Sequence, residues 1–283
     1  MDKNLFKFYI SFIITFLIFI NIFSNIFINI NNSIDFIKNK TIIVFGNNKD
    51  SVVNIYDDKA NVIIMLDDAW KTQYTIGYNY MHKKNMRGSI AVIPKSIGES
   101  GYMNKSDLYE LYNNNWDLLN HTYSHINLTN KKLDKQFSEI NKTDKWLRKH
   151  NFINPNKILI YPEGKYDQNT IKTIKKLNFI SGRSTREGFN KKIPTNLYEI
   201  KVKNVLTNIN PNIVNGWIDY AIENNLTVIL LFHKLENNVD KTLMKYKEKD
   251  FYKIIDHIDK KRNYLNIITY SDWIQTIKKN INS

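Results

Sequence analysis

Two adjacent carboxylates, Asp67 and Asp68, close the apolar run Val62–Leu66. Paired acids at a strand end are costly to place unless a cation or a hydrogen-bond network receives them. Successive side chains diverge there, so one can ligate a metal while the other orients or deprotonates a ligand. Standing alone, the pair would read as a helix N-cap before Thr72–Lys84. A second cluster, His121-Thr122-Tyr123-Ser124-His125, follows the run Trp116–Asn120. On a helical turn this spacing lets both imidazoles grip one ion. One aspartate with two histidines is a facial set that leaves coordination places open, whereas a closed structural zinc site wants a fourth protein ligand. His233 ends the most hydrophobic run, Thr227–Phe232, and is either a satisfied core residue or a proton carrier. Tyr161-Pro162-Glu163-Gly164 makes a rigid turn after Ile158–Ile160, with Tyr161 offering a wall or a backbone donor.

These groups need elements to hold them. Short apolar runs of strand type recur at Val62–Leu66, Ser89–Ile93, Trp116–Asn120, Lys157–Tyr161, Phe179–Gly182, Tyr198–Val202, Thr227–Phe232 and Leu265–Thr269. Amphipathic stretches lie between most of them: Thr72–Lys84, Lys105–Asn114, Lys131–Lys149, Asn169–Lys176, Pro211–Asn224 and Val239–Lys261. In Lys131–Lys149, Leu133, Phe137, Ile140 and Leu147 share a face opposite the charged residues. Alternating strands and helices predict an α/β domain with parallel strands, and this many units suit a closed or nearly closed barrel. No interior linker interrupts them, so one catalytic domain is expected over residues 60–280. In such folds a ligand binds where strands end, which is where these polar groups fall.

Composition narrows the partners. The 283 residues are 42% hydrophobic and 24% charged, with a net charge of +14. The lysines are dispersed and no dense arginine cluster exists, so specific nucleic-acid binding is not expected. No obligate protein partner is predicted either. With no cysteine, thiolate chemistry and disulfides are excluded. In residues 1–30, Lys3 and Lys7 precede or interrupt a strongly apolar stretch, Leu5 to Ile20, and no small-residue cleavage signal follows. They predict a retained N-terminal transmembrane helix, with the rest on the extracytoplasmic face. Residues 31–59 read as a lead-in with a possible hairpin around Gly46–Asp50.

In combination these pieces resemble the polysaccharide deacetylase family, whose catalytic region is the NodB homology domain. The resemblance runs from about Val62 to Trp273. Val62 to Asp68 is similar to the family's first motif, a strand ending in two aspartates. His121 to His125 matches the second, Tyr161 to Gly164 is a variant of the third, and Leu231-Phe232-His233 matches the last. The resemblance implies a distorted (β/α) barrel of the polysaccharide deacetylase type, behind the transmembrane helix. It implies Asp67 as general base, His233 as general acid, and Asp68, His121 and His125 as ligands of a divalent metal, most simply Zn2+. Trp70, Tyr123, Tyr161, Pro162, Gly164 and Leu231 are expected at the substrate. The implied reaction removes N-acetyl or related acyl groups from amino sugars of a cell-surface polysaccharide. The alternatives are hydrolysis of another non-peptide carbon–nitrogen bond, or a glycan-binding surface protein without catalysis. Three departures stand out. Ile160 occupies the place of the third motif's arginine, which steadies the base aspartate in the family. Ala69 replaces a glycine, and Ser181–Phe189 contains no Asp-x-x-x-Trp motif. Arg186 and Lys71 are candidates to replace the arginine.

Overall fold

The computed structural model describes residues 59–154, 156–237 and 244–282. Its centre is a parallel barrel. Strands β1 (Ala60–Asp67), β2 (Ser89–Val92), β3 (Asp117–Asn120), β4 (Ile158–Ile160), β5 (Ser181–Glu187), β6 (Ile200–Asn204) and β7 (Thr227–Phe232) pair in chain order. β7 then pairs back onto β1 from Asn61↔Thr227 to Leu66↔Phe232. The short strands β8 (Lys234–Glu236) and β9 (Lys245–Lys247) pair with each other outside the ring. β10 (Leu265–Ile267) lies beside the first residues of β1, below the point where β2 takes over that edge. The closure is uneven, since β3 and β4 share one register pair, Asn120↔Leu159. The result is a distorted barrel.

Two-residue alternation explains why these segments close a barrel. In β1, Ile63 and Met65 face a lumen cluster with Ala91, Leu119, Ile158, Ile160, Ile229 and Leu231. Val62, Ile64 and Leu66 face outward into a second cluster beneath the helices. Those covering helices are α1 (Lys105–Asn113), α2 (Leu133–Lys149), α3 (Gln168–Lys176), α4 (Pro211–Glu223) and α5 (Glu248–Lys260). A wide π-type turn, Gln73–Tyr78, runs into the helical turn Asn79–His82. The final helix, α6 (Tyr270–Asn282), sends Tyr270, Trp273, Ile274 and Ile277 into the lumen cluster.

Each expected strand region and helix has a counterpart, with three differences. The run expected at Phe179–Gly182 is a strand from Ser181 to Glu187, rich in small and charged residues. The helix expected over Val239–Lys261 begins only at Glu248, and β9 precedes it. α6 was not anticipated.

The expected transmembrane helix requires correction. No helix among the described residues is long and apolar enough to cross a membrane. The stretch 1–30, on which that expectation rested, lies outside the described residues, as does the 31–59 lead-in apart from Lys59. The fold is therefore given as the barrel alone, and membrane attachment and the extracytoplasmic placement are withdrawn.

Asp117, at the start of β3, joins α6 to the barrel. Its carboxylate accepts hydrogen bonds from Ser89 Oγ (3.1 Å) and from the Ser271 backbone N–H (2.7 Å). Burial pushes Asp117 up to about 6, against those two donors, which pull it down. A raised folded-state value means the native state holds the proton more tightly. Its stabilisation is complete below the unfolded value near 4 and is lost as pH rises through 6. Urea melts of wild type should therefore lose up to about 3 kcal/mol relative to Asp117→Asn between pH 4.5 and 7.5. Parallel pH dependences for the two proteins would contradict this.

Candidate functional site

The inward-facing positions do not stop at the top of the lumen cluster. Beyond Met65 the alternation brings Asp67 inward, beyond Leu119 it brings His121, and beyond Leu231 it brings His233. Polar groups thus replace hydrocarbon at the carboxyl ends of the strands.

Asp68, His121 and His125 converge, with one ligand atom from each lying within 4.8 Å of the others. Asp68 Oδ1 is 3.4 Å from His121 Nε2 and 3.5 Å from His125 Nε2. His121 is buried, and its Nδ1 lies 2.8 Å from the Ile160 carbonyl. Donation from Nδ1 to that oxygen leaves the Nε2 lone pair facing Asp68, the form a metal ligand requires. Trp70 Nε1 donates to Asp68 Oδ2 at 3.1 Å, holding that carboxylate from its other side. Burial alone would push Asp68 up. The proximity of His121, then of His233 and His125, outweighs it and holds Asp68 well below the usual carboxylate range. Burial, then His121, hold His125 below its usual range and favour the neutral, ligating imidazole. Asp68 Oδ1 is buried without a hydrogen-bond partner, as expected of an atom whose partner is a cation. The donor set of two imidazoles and one carboxylate fits a divalent ion and leaves coordination places open.

The two histidines are not on a helical turn. Thr122 and His125 adopt left-handed backbone, with φ of 62° and 56°, so a tight loop brings the rings together. Glu139 of α2 holds this loop: its carboxylate accepts from Ser124 N at 3.0 Å and its carbonyl from Tyr123 N at 3.2 Å. Asn120 Oδ1 accepts from Thr122 N. Asp68 and Ala69 are also left-handed, with φ of 79° and 59°, which explains why glycine suits the latter position.

Asp67 is buried beside this triad. Its Oδ2 is 3.9 Å from His121 Nε2, and it accepts from Arg183 Nη2 at 2.5 Å. Neither suggested replacement is used: Lys71 pairs with Asp107, and Arg186 reaches Glu199 near the surface. Gln73, fully buried, donates to the Asp67 carbonyl (2.5 Å) and to the His233 carbonyl (3.0 Å), linking the ends of β1 and β7. Arg183, Gln73 and Glu139 were all missed from sequence. Only the inward parity of Arg183 beside Ile160 could have signalled the first.

Other expected residues divide. The Trp70 ring stacks on Tyr102 with centroids 4.3 Å apart, and Lys234 Nζ lies 5.4 Å from it. The Tyr123 ring faces Lys142 of α2. Leu231 is buried in the lumen cluster below the site. Tyr161 needs correction. Its ring packs in an outer cluster against Tyr166, its hydroxyl donates to Tyr198 O, and its N–H is committed to Arg183 O at 3.0 Å. Neither wall nor backbone donor is therefore available from Tyr161.

Pro162 is buried and starts the turn, while Gly164 ends it at φ 67°. A Cβ on Gly164 would collide with the Thr185 hydroxyl and backbone nitrogen. Gly164→Ala is expected to lower stability by about 2–3 kcal/mol, from left-handed strain and overpacking together. Urea unfolding of the variant checks this; a wild-type midpoint would contradict it.

Comparison with known proteins agrees with this geometry. A family model described as polysaccharide deacetylase matches residues 55–181. YxkH of Bacillus subtilis (strain 168), named as a polysaccharide deacetylase, is 28% identical over 127 residues, 45% of each chain. The chain thus spans a little under half of that relative's length. Among solved structures, the Xyl-CE4 domain of a multidomain xylanase from the hindgut metagenome of Trinervitermes trinervoides aligns with TM-score 0.53 and 10% identity, over 77% of this chain and 91% of that one. A family 4 acetyl xylan esterase from Clostridium thermocellum, in complex with a cobalt ion, aligns with TM-score 0.51 and 15% identity, over 76% and 90%. At such identities these two speak for the fold alone. The family model and the curated relative thus agree that residues 55–181 of this chain are similar to the polysaccharide deacetylase family.

Proposed function

We propose that the chain is a metal-dependent hydrolase that removes N-acetyl or related acyl groups from amino sugars of a polysaccharide. The observation that carries this reading is the convergence of Asp68, His121 and His125, with Asp67 on the same rim. Asp68 and the two Nε2 atoms would hold the ion, most simply Zn2+. When bound, such a cation polarises the acyl carbonyl and lowers the pKa of water.

The chain's own residues supply the rest. Asp67, held at Oδ2 by Arg183, keeps Oδ1 without a protein partner, and in this reading it accepts a proton from water as it attacks. His233 follows β7 on the same rim, where Gln73 ties its carbonyl to that of Asp67. In this reading it protonates the departing sugar amine. Opposite roles for a carboxylate and an imidazole complete acid–base catalysis. Trp70 and Tyr102 present a stacked aromatic edge beside the triad, suited to a sugar face.

The test is release of free amine and acetate by the full chain from acetylated chito-oligosaccharides and peptidoglycan fragments, with acetyl xylan as the ester comparison. Chelator should stop release and added divalent metal should restore it. Acetate from xylan without amine from the amino sugars would transfer the reading to esters. No release from any of them, with metal bound, would overturn catalysis.

A further inference from the structure

Arg183 is the largest charged side chain sealed inside the barrel, with 0% exposure. A guanidinium in that setting is costly unless it is paired. Among the described residues its one side-chain hydrogen bond is to Asp67 Oδ2, and its Nε and Nη1 have no partner. Strand register shows how it arrives there. β4 and β5 run parallel with Ile160 directly beside Arg183, so their side chains enter the lumen at the same height. Ile160 packs in the lumen cluster, while its backbone carbonyl receives His121 Nδ1. Gly182, the outward neighbour of Arg183, lies so close to the Tyr161 ring that a Cβ there would collide with it. That contact, with Tyr161 N donating to Arg183 O, fixes β5 against β4 at this level.

We propose that Arg183 is the positioning residue for Asp67, delivered from β5 one strand away from the β4 position that Ile160 occupies. This rests on the hydrolase reading above. Arg183 reaches substrate only through Asp67: it holds Oδ2, 3.9 Å from His121 Nε2, and leaves Oδ1 without a protein partner. Neighbouring strands lie about 4.8 Å apart, a distance that a long arginine side chain spans. The two positions are therefore interchangeable for the guanidinium, provided the other carries a branched apolar side chain to fill the lumen.

The test uses the full chain with zinc and an acetylated chito-oligosaccharide in three forms beside wild type. Arg183→Met should lower kcat on the order of a hundredfold, as a misplaced catalytic group does, with KM and zinc affinity within about twofold of wild type. In an Asp67→Asn background, Arg183→Met should cost almost nothing further, because the two residues act as one unit. The exchange Ile160→Arg with Arg183→Ile should recover at least tenfold of the loss. Arg183→Met with wild-type kcat would overturn the proposal. So would a folded, zinc-loaded exchange protein no faster than Asp67→Asn, or full additivity with Asp67→Asn. If Arg183→Met fails to fold, the exchange protein alone decides by the same criterion. Failure of wild type itself to release amine would fall on the hydrolase reading instead, so the two failures are distinguishable.

Discussion

Replacing His125 by alanine is expected to abolish stable metal binding and hydrolysis together. The His125 side chain is 35% exposed, so its loss trims the rim of the barrel and leaves the lumen cluster intact. The fold should survive, which separates this substitution from one at the buried His121. Only Asp68 and His121 would then remain as donors, and two donors hold a divalent ion poorly. Loss of an outer-shell partner costs roughly 10–100-fold in affinity or activity. Loss of a direct ligand should exceed that, and turnover should fall on the order of a thousandfold. Amine release per mole of folded protein checks the expectation; wild-type turnover would refute the assignment of the triad.

The second large effect is at Asp67. Asp67→Asn keeps the shape of the side chain and removes the group that can accept a proton. Metal affinity should stay within a few fold of wild type, because the described triad does not include Asp67. The rate constant kcat should fall by about a hundredfold or more, the usual scale of a positioned general base. There is also a stability signature. Arg183 would face a neutral amide in place of its buried carboxylate partner, and breaking such a pair costs about 3–5 kcal/mol. A lowered urea midpoint with zinc affinity retained and kcat collapsed is the expected pattern. A variant with normal kcat would remove Asp67 from the chemistry.

Much of the fold was legible in the chain because its strands are continuous apolar runs punctuated by polar loops. β1 and β7, Ala60–Asp67 and Thr227–Phe232, are buried on both faces and read unambiguously. β5 was read short because its lumen residues are Ser181 and Arg183, and a charged inward residue makes sense only once Asp67 stands opposite. The triad was legible because its residue types are scarce and each cluster ends a strand-like run. The loop conformation was not, since left-handed Thr122 and His125 follow from anchoring by Glu139 and Asn120, which spacing does not show. Tyr161 was misassigned for a related reason: strand parity turns its ring outward, toward Tyr166 and Tyr198. Gln73 gave no signal at all, because joining two strand ends through their carbonyls is a tertiary role.

The central claim is that Asp68, His121 and His125 form one ion site, and calorimetric titration of zinc into the metal-free full chain tests it directly. Wild type and Asp67→Asn should each bind one equivalent, and His125→Ala should bind none stably. Equal zinc binding by wild type and His125→Ala, both folded, would contradict it.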